Sequence, residues 1–513
     1  MQLMQTMDNS KISAGMLDDK SEKEVKDELE TFKIPQTSPL HLIKHFGPGM
    51  ILMMTGIGTS HLVTAPVAGG RFAYDLLWCI PVAYIFKYYG FEMAFRFTNA
   101  TGKSLLDAYA TAWKKWPVWY VLVTTLIQCI VGQAGRLVAC SAVLYYFFAQ
   151  YIGLEAPMSA YGLLLGVLSV SILLAGKYKV IELISKITAG LLVLSSAVIY
   201  MAKPAPLASM SHFFSIETPS GSWLIVAAFL GLLPTGIDVS LQASEWGKAK
   251  KVGMGKVRDL FEKSRATSTF NPFTSTKEDL MLDTSKLSPH VLHYCSTWFK
   301  IGLWDFRFGH LVSFLLACLF LLLSAVWLYP SPVQGHAVMG EIAKIFTRSA
   351  GPSMMAIFLI GAFAATYSTA FNYFDGWPRV VAACFRNLYQ PTFELKGVST
   401  KDLTTEHKSK WYSEYNIYRI TMFFSLVTAV AIIAGIPRPV WLVLVASALA
   451  FFVAPVVFAL NLYYCFSVIP SDNKAFYPST FATWFGWGSL MIFTGLTALL
   501  IMARIFGIGL WGV

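Results

Sequence analysis

Charge is scarce in this chain of 513 residues: Asp, Glu, Lys and Arg make up 13% of it, against 55% hydrophobic residues. Soluble domains carry roughly 25% charged residues, so the composition excludes an ordinary soluble protein and points to an integral membrane protein. The seven cysteines are scattered, without a Cys-x-x-Cys pair, which excludes a zinc ribbon or a disulfide framework. Six of them lie in or beside apolar segments, where free cysteine acts as a small buried hydrophobe. The first forty residues contain no apolar signal core; "DDKSEKEVKDELE" reads as a cytoplasmic tail, disordered or loosely helical. There is no His-Glu-x-x-His, "GPG" at 47–49 is followed by no Gly-Lys-Ser/Thr, and serines such as that of "SLLDAY" have no nucleophile elbow around them. The chain is therefore not expected to be an enzyme, and no resident cofactor is expected. The formal net charge of +11 does not imply a nucleic-acid partner, because Lys and Arg cluster in short runs between apolar spans, where they set topology.

What the chain has is long apolar runs. Eleven segments of roughly 20 residues, the length needed to cross a bilayer, lie near 47–69, 75–98, 117–149, 158–176, 182–202, 222–246, 309–329, 353–380, 416–436, 439–466 and 480–505. The runs are continuous rather than alternating, which excludes barrel strands. The expected class is an all-α polytopic membrane protein with its partner the lipid bilayer. Residues 1–44 would form the N-terminal tail, 45–247 spans 1–6, 248–308 a polar insertion and 309–513 spans 7–11. Basic residues mark alternate connections: Lys103, Lys114 and Lys115; Lys177 and Lys179; eleven Lys or Arg against six acids in 248–308; and Arg386, Lys396, Lys401, Lys408 and Lys410. The other connections are nearly free of base, so the N-terminus is expected in the cytoplasm and the C-terminus outside, in a plasma or inner membrane. The segment 250–305 is too polar to span and reads as an amphipathic cytoplasmic linker or a docking site for a cytoplasmic partner.

Two spans are interrupted. Span 1 carries Gly56-Ile57-Gly58-Thr59-Ser60 followed by His61; span 6 carries Leu232-Leu233-Pro234-Thr235-Gly236 followed by Asp238. Glycine tolerates most backbone geometries and proline removes a helix donor. Breaks at mid-membrane are acceptable only against protein or water. Spans 1 and 6 open two five-helix halves, and interruptions at matching positions in two halves point to a transporter's binding site. Asp238 requires a partner, a cation or water. If the halves pack pseudosymmetrically, His61 and Asp238 face one cavity and, with carbonyls freed at Gly58–Ser60 and Leu233–Gly236, bind a cation or pass a proton; a structural His–Asp hydrogen bond is the alternative. Span 3 contributes Gln133 and Arg136 on one face, with Arg136 either paired or lining a wet path. Asp375 and Arg379, four apart, read as an ion pair, and Ser447 is a weak polar signal in span 10.

The order and spacing of several stretches resemble the Nramp family of divalent-metal transporters: "HFGPGM…AGGRFAYDLLW" (45–78), "ATGKSLLDAY" (100–109), "GKYKVIELISKITAGLLVLSSAVIY" (176–200) and "VLVASALAFFVAPVVFALNLY" (443–463). The resemblance covers most of 45–505 outside the insertion. It implies a LeuT-like fold, a 5+5 inverted repeat with helices 1 and 6 broken, and secondary active transport. The family's Asp-Pro-Gly-Asn motif of span 1 falls at Gly58-Thr59-Ser60-His61, and its Met-Pro-His of span 6 at Leu233-Pro234-Thr235. Its span 10 glutamine falls near Ser447, and its span 3 acids at Gln133 and Arg136. The expected activity is alternating-access transport of a small inorganic cation, with a divalent metal as cargo and His61 and Asp238 as its side-chain ligands. Gln133 and Arg136 would lie on the coupling path. An anionic or organic cargo, or a transport-dead sensor or scaffold, are the alternatives.

Overall fold

The computed structural model describes residues 19–176, most of 187–201, 203–264, 280–331, 340 and 345, 354–389, 411 and 413–507. Among the described residues all regular structure is helical. Span 1 runs Pro48–Phe72, span 2 Cys79–Thr101, span 3 from Trp116 to Tyr151 and span 4 Met158–Leu174. Only part of span 5 is described. Span 6 is two helices, Trp223–Leu232 and Val239–Lys250. Spans 7 to 11 are Pro289–Trp327, Met354–Leu388, Glu414–Gly435, Pro439–Val468 and Thr480–Phe506.

Ends are set locally. Span 2 stops where Gly102 turns left-handed at φ 70°, a conformation that costs glycine little. Ser104 then accepts from the Asp107 amide while Asp107 accepts from Ser104, a reciprocal cap that starts the short helix Leu105–Tyr109. Ser288, Ser413 and Ser479 cap spans 7, 9 and 11 one way, each side chain accepting from the amide three residues on.

The most apolar stretch of span 1 is 94% buried and that of span 11 only 28%, so span 1 is the axis of the molecule and span 11 faces outward. Span 1 packs on spans 7 and 8, and the first half of span 6 on span 10. The outer faces of spans 4, 9 and 11 expose Leu164, Val427, Met491 and Ile505, while Lys87, Glu92, Arg136 and Asp107 are buried. Apolar outside and ionic inside is the distribution that lipid imposes.

The seventh helix begins well before its apolar run. Its 39 residues rise about 58 Å at 1.5 Å each, roughly twice a bilayer core of about 30 Å. It starts at Pro289, within the stretch 248–308 read as the polar insertion, so it is longer than a crossing requires. The insertion also contains the helix Met254–Ser264; residues 265–279, central to the docking expectation, lie outside the described residues.

Candidate functional site

Both interruptions exist, in different forms. Span 1 does not unwind: Ile57–Thr64 is a π-helical stretch between two α-helical ones. A side chain from span 8 inserts there: Thr369 Oγ1 accepts from the Gly58 amide at 3.1 Å and donates to the Met54 carbonyl at 3.0 Å, the two groups that an ordinary α-helical turn would join to each other. The Gly58 to Ser60 carbonyls are thus not opened as a ladder of ligands. Glycine is required here by proximity: a Cβ on Gly56 would collide with the Pro234 carbonyl oxygen, and one on Gly58 with Thr369 and Ala365. Thr59 belongs to the π stretch; its side chain lies outside the described residues.

Span 6 does unwind. Leu233 is extended (φ −91°, ψ 128°), and Pro234 to Gly236 carry no helix before the second half begins. Most of the carbonyls released there are occupied. Lys87 of span 2, fully buried, donates its Nζ to Leu230 O (3.1 Å), Gly231 O (2.8 Å), Leu233 O (2.7 Å) and Thr235 O (2.8 Å). The expectation of carbonyls free to ligate at Leu233–Gly236 is corrected at three of them: an ammonium sits on the Leu233 and Thr235 oxygens, and Gly236 O accepts from the Val239 amide. Thr235 Oγ1 pairs with Tyr373 Oη at 2.9 Å.

His61 and Asp238 are not brought together. His61 Nε2 donates to the Ser313 carbonyl and meets Tyr84 Oη, both at 2.9 Å, and Nδ1 lies 2.8 Å from Ser60 Oγ. The imidazole therefore ties span 1 to spans 2 and 7, with both nitrogens engaged. The direct His61–Asp238 hydrogen bond is not made. Asp238 stands at the start of the second half of span 6, with Arg136 and Lys87 as its charged neighbours. Its Oδ1 is buried without a hydrogen-bond partner.

Arg136 donates to Gly132 O at 2.8 Å and lies over the rings of Tyr373 (4.0 Å) and Trp377 (4.7 Å), with Nε unpartnered. Gln133 donates to Ala370 O at 3.1 Å and leaves Oε1 unpartnered; both amide atoms of Gln128 and of Gln242 are unpartnered as well. A Cβ added at Gly132 would meet Gln128 Oε1, Trp377 and Arg136 together, so these groups share one space. Ser447 spends its hydroxyl on its own helix, donating to Val443 O at 2.6 Å. Among the described residues no three His, Cys, Asp or Glu converge as a metal site.

The model of the family described as Natural resistance-associated macrophage protein-like (Nramp) matches residues 49–503. The chain belongs to the Nramp family. An uncharacterised protein of Pasteurella multocida (strain Pm70) is 22% identical over 342 residues, covering 65% of this chain and 68% of that protein. The Eremococcus coleocola manganese transporter, solved with an aromatic bis-isothiourea substituted compound, superposes with TM-score 0.58 at 14% identity, covering 93% of this chain and 90% of that one. MHP1, a nucleobase-cation-symport-1 family transporter solved closed around bromovinylhydantoin, gives TM-score 0.51 at 11% identity, covering 90% and 87%. The Nramp chain is thus an integral membrane transporter of LeuT-like fold, and not an enzyme.

In this Nramp protein the polar centre is ringed by spans 1, 2, 3, 6 and 8. Lys87, Gln128 and Gln242 were not singled out from the sequence. For Lys87 the signal was present: a lone lysine inside "IPVAYIFKYYG" is an ionisable group at membrane depth and marks a site by default. The two glutamines carried no comparable signal, since an uncharged amide inside an apolar run is common at helix contacts.

Towards the face that carries the basic connections lies a cavity of about 540 Å³, bounded by Pro48 and Ile51, Trp246 and Lys250, Trp298 and Arg379. Behind it Asp375 pairs with Arg379 at 2.7 Å, as the spacing implied, and accepts from Trp246 Nε1 (2.7 Å) and Tyr418 Oη (2.8 Å). On the same face Asp107 joins Lys248 and Arg386, each at 2.7 Å. These pairs tie spans 6, 8 and 9 and the connection after span 2 together.

Proposed function

We propose that this Nramp protein is a secondary active transporter working by alternating access, with a cation as cargo and a divalent metal as the leading candidate. The observation that carries the reading is Asp238: a half-buried carboxylate at the broken helix, with one buried oxygen that lacks a hydrogen-bond partner. Gln128, Gln133 and Gln242 also carry amide oxygens without hydrogen-bond partners, so the donor set on offer at the polar centre is oxygen-only. Such a set suits hard ions of the Mg²⁺, Ca²⁺ and Mn²⁺ kind, whereas softer metals favour sulfur and imidazole. Leu233 supplies no thioether, and His61 is engaged elsewhere. The family and the manganese transporter to which the fold is similar support a metal cargo. The cavity of about 540 Å³ on the basic-loop face, expected to be cytoplasmic, would be one vestibule, and the Asp375 and Asp107 ion pairs the gate that rearranges when spans 1 and 6 rock.

A second reading has its own observation. Arg136, stacked on Tyr373 and Trp377, together with Lys87 makes the surroundings of Asp238 cationic, which opposes a divalent ion and favours an organic or anionic solute. Uptake by purified protein in proteoliposomes separates the two. Metal cargo requires accumulation of Mn²⁺ or Mg²⁺ that Asp238→Asn abolishes. If no metal in the panel is taken up while a zwitterionic or anionic solute is, the first reading falls.

A further inference from the structure

The strongest unexplained feature is the buried lysine of span 2. The half-helix Trp223–Leu232 ends in carbonyls without helical partners, its dipole is negative there, and the following residues are unwound. In transporters of this architecture such a terminus with unwound carbonyls is a cation site. Here four of its carbonyls converge on Lys87 Nζ at 2.7–3.1 Å. An ammonium has three hydrogens, so four acceptors surround it as a cage rather than as three paired bonds. Phe91 and Phe493 lie 5.9 Å from Nζ by their ring centroids, adding π faces to the carbonyl shell.

We propose that the span 6 break is a monovalent-cation cage and that Lys87 is its covalently tethered occupant. The tether makes the ion permanent: the break is held, and Asp238 has its fixed positive neighbour, whatever Na⁺, K⁺ or NH₄⁺ the medium contains. A metal site around Asp238 is a separate matter, because the cage oxygens belong to Lys87. The inference goes beyond the transport reading and is tested without cargo.

The experiment is thermal unfolding of the purified full-length chain, titrated with NH₄Cl, KCl or NaCl against choline chloride at constant ionic strength. Wild type is indifferent to the choice of cation. Lys87→Ala, which empties the cage, has a lower midpoint that at least one small cation raises by about 2 °C or more. Lys87→Met, which fills the same space without charge, gives no such response. A folded Lys87→Ala protein indifferent to every ion overturns the proposal, as does a wild type that responds equally. If Lys87→Ala is recovered only when ammonium is present during extraction, the cage is supported. If it fails with and without ammonium while Lys87→Met folds, the cage is overturned.

Discussion

Thr369 Oγ1 of span 8 bridges the Gly58 amide and the Met54 carbonyl of span 1, at 3.1 and 3.0 Å. One hydroxyl holds two backbone groups where the π-helical stretch begins, so this part of span 1 is tied to a residue more than three hundred positions away.

Thr369→Val keeps the volume and removes the bridge, leaving both backbone groups buried. The expected loss is about 1–3 kcal/mol, read as a lower thermal midpoint in detergent, with Thr369→Ser close to wild type. A valine variant as stable as wild type would show that the π stretch holds itself.

His61 is expected to act on stability rather than cargo affinity, because both its nitrogens bind protein. His61→Ala should lower the midpoint by an amount corresponding to about 1–3 kcal/mol while leaving the KM for uptake nearly unchanged in the surviving fraction. A large rise in KM at unchanged stability would restore His61 as a ligand.

Asp238→Asn keeps the shape of the side chain and removes its charge. Because Oδ1 has no hydrogen-bond partner to lose, the variant should fold and elute like wild type yet carry no metal. Uptake within a factor of two of wild type would remove Asp238 from the cargo path.

Asp107 offers a test against pH. Burial pushes its carboxyl up, but Lys248 and Arg386 outweigh that and hold it well below the usual carboxylate range. Its folded value lies below the unfolded one of about 3.9, so its contribution is present in full above that value and is lost as pH falls through the folded value. Asp107→Asn should therefore cost about 3–5 kcal/mol between pH 5 and 8, with the gap to wild type closing only below about pH 4. A gap that closes near neutrality would mean that another group carries the dependence.

The spans, the break at Pro234 and the Asp375–Arg379 pair were legible along the chain because each is local. An apolar run must bury its own backbone polar groups as a helix, proline lacks an N–H wherever it stands, and two residues four apart share a helix face. Family membership was legible for the same reason, through the order of such segments. What the chain alone could not decide is which neighbour each inward polar group meets. His61 was read towards Asp238 and lies on Tyr84 and Ser313; the span 6 carbonyls were read as open and hold Lys87; the turn at Gly58 was read as unwound and is bridged by Thr369. Helical periodicity assigns a residue to a face, but the partner of that face is set by how helices far apart in sequence pack. At this site nearly every contact that defines the chemistry crosses from one span to another, and only the tertiary structure could make that choice.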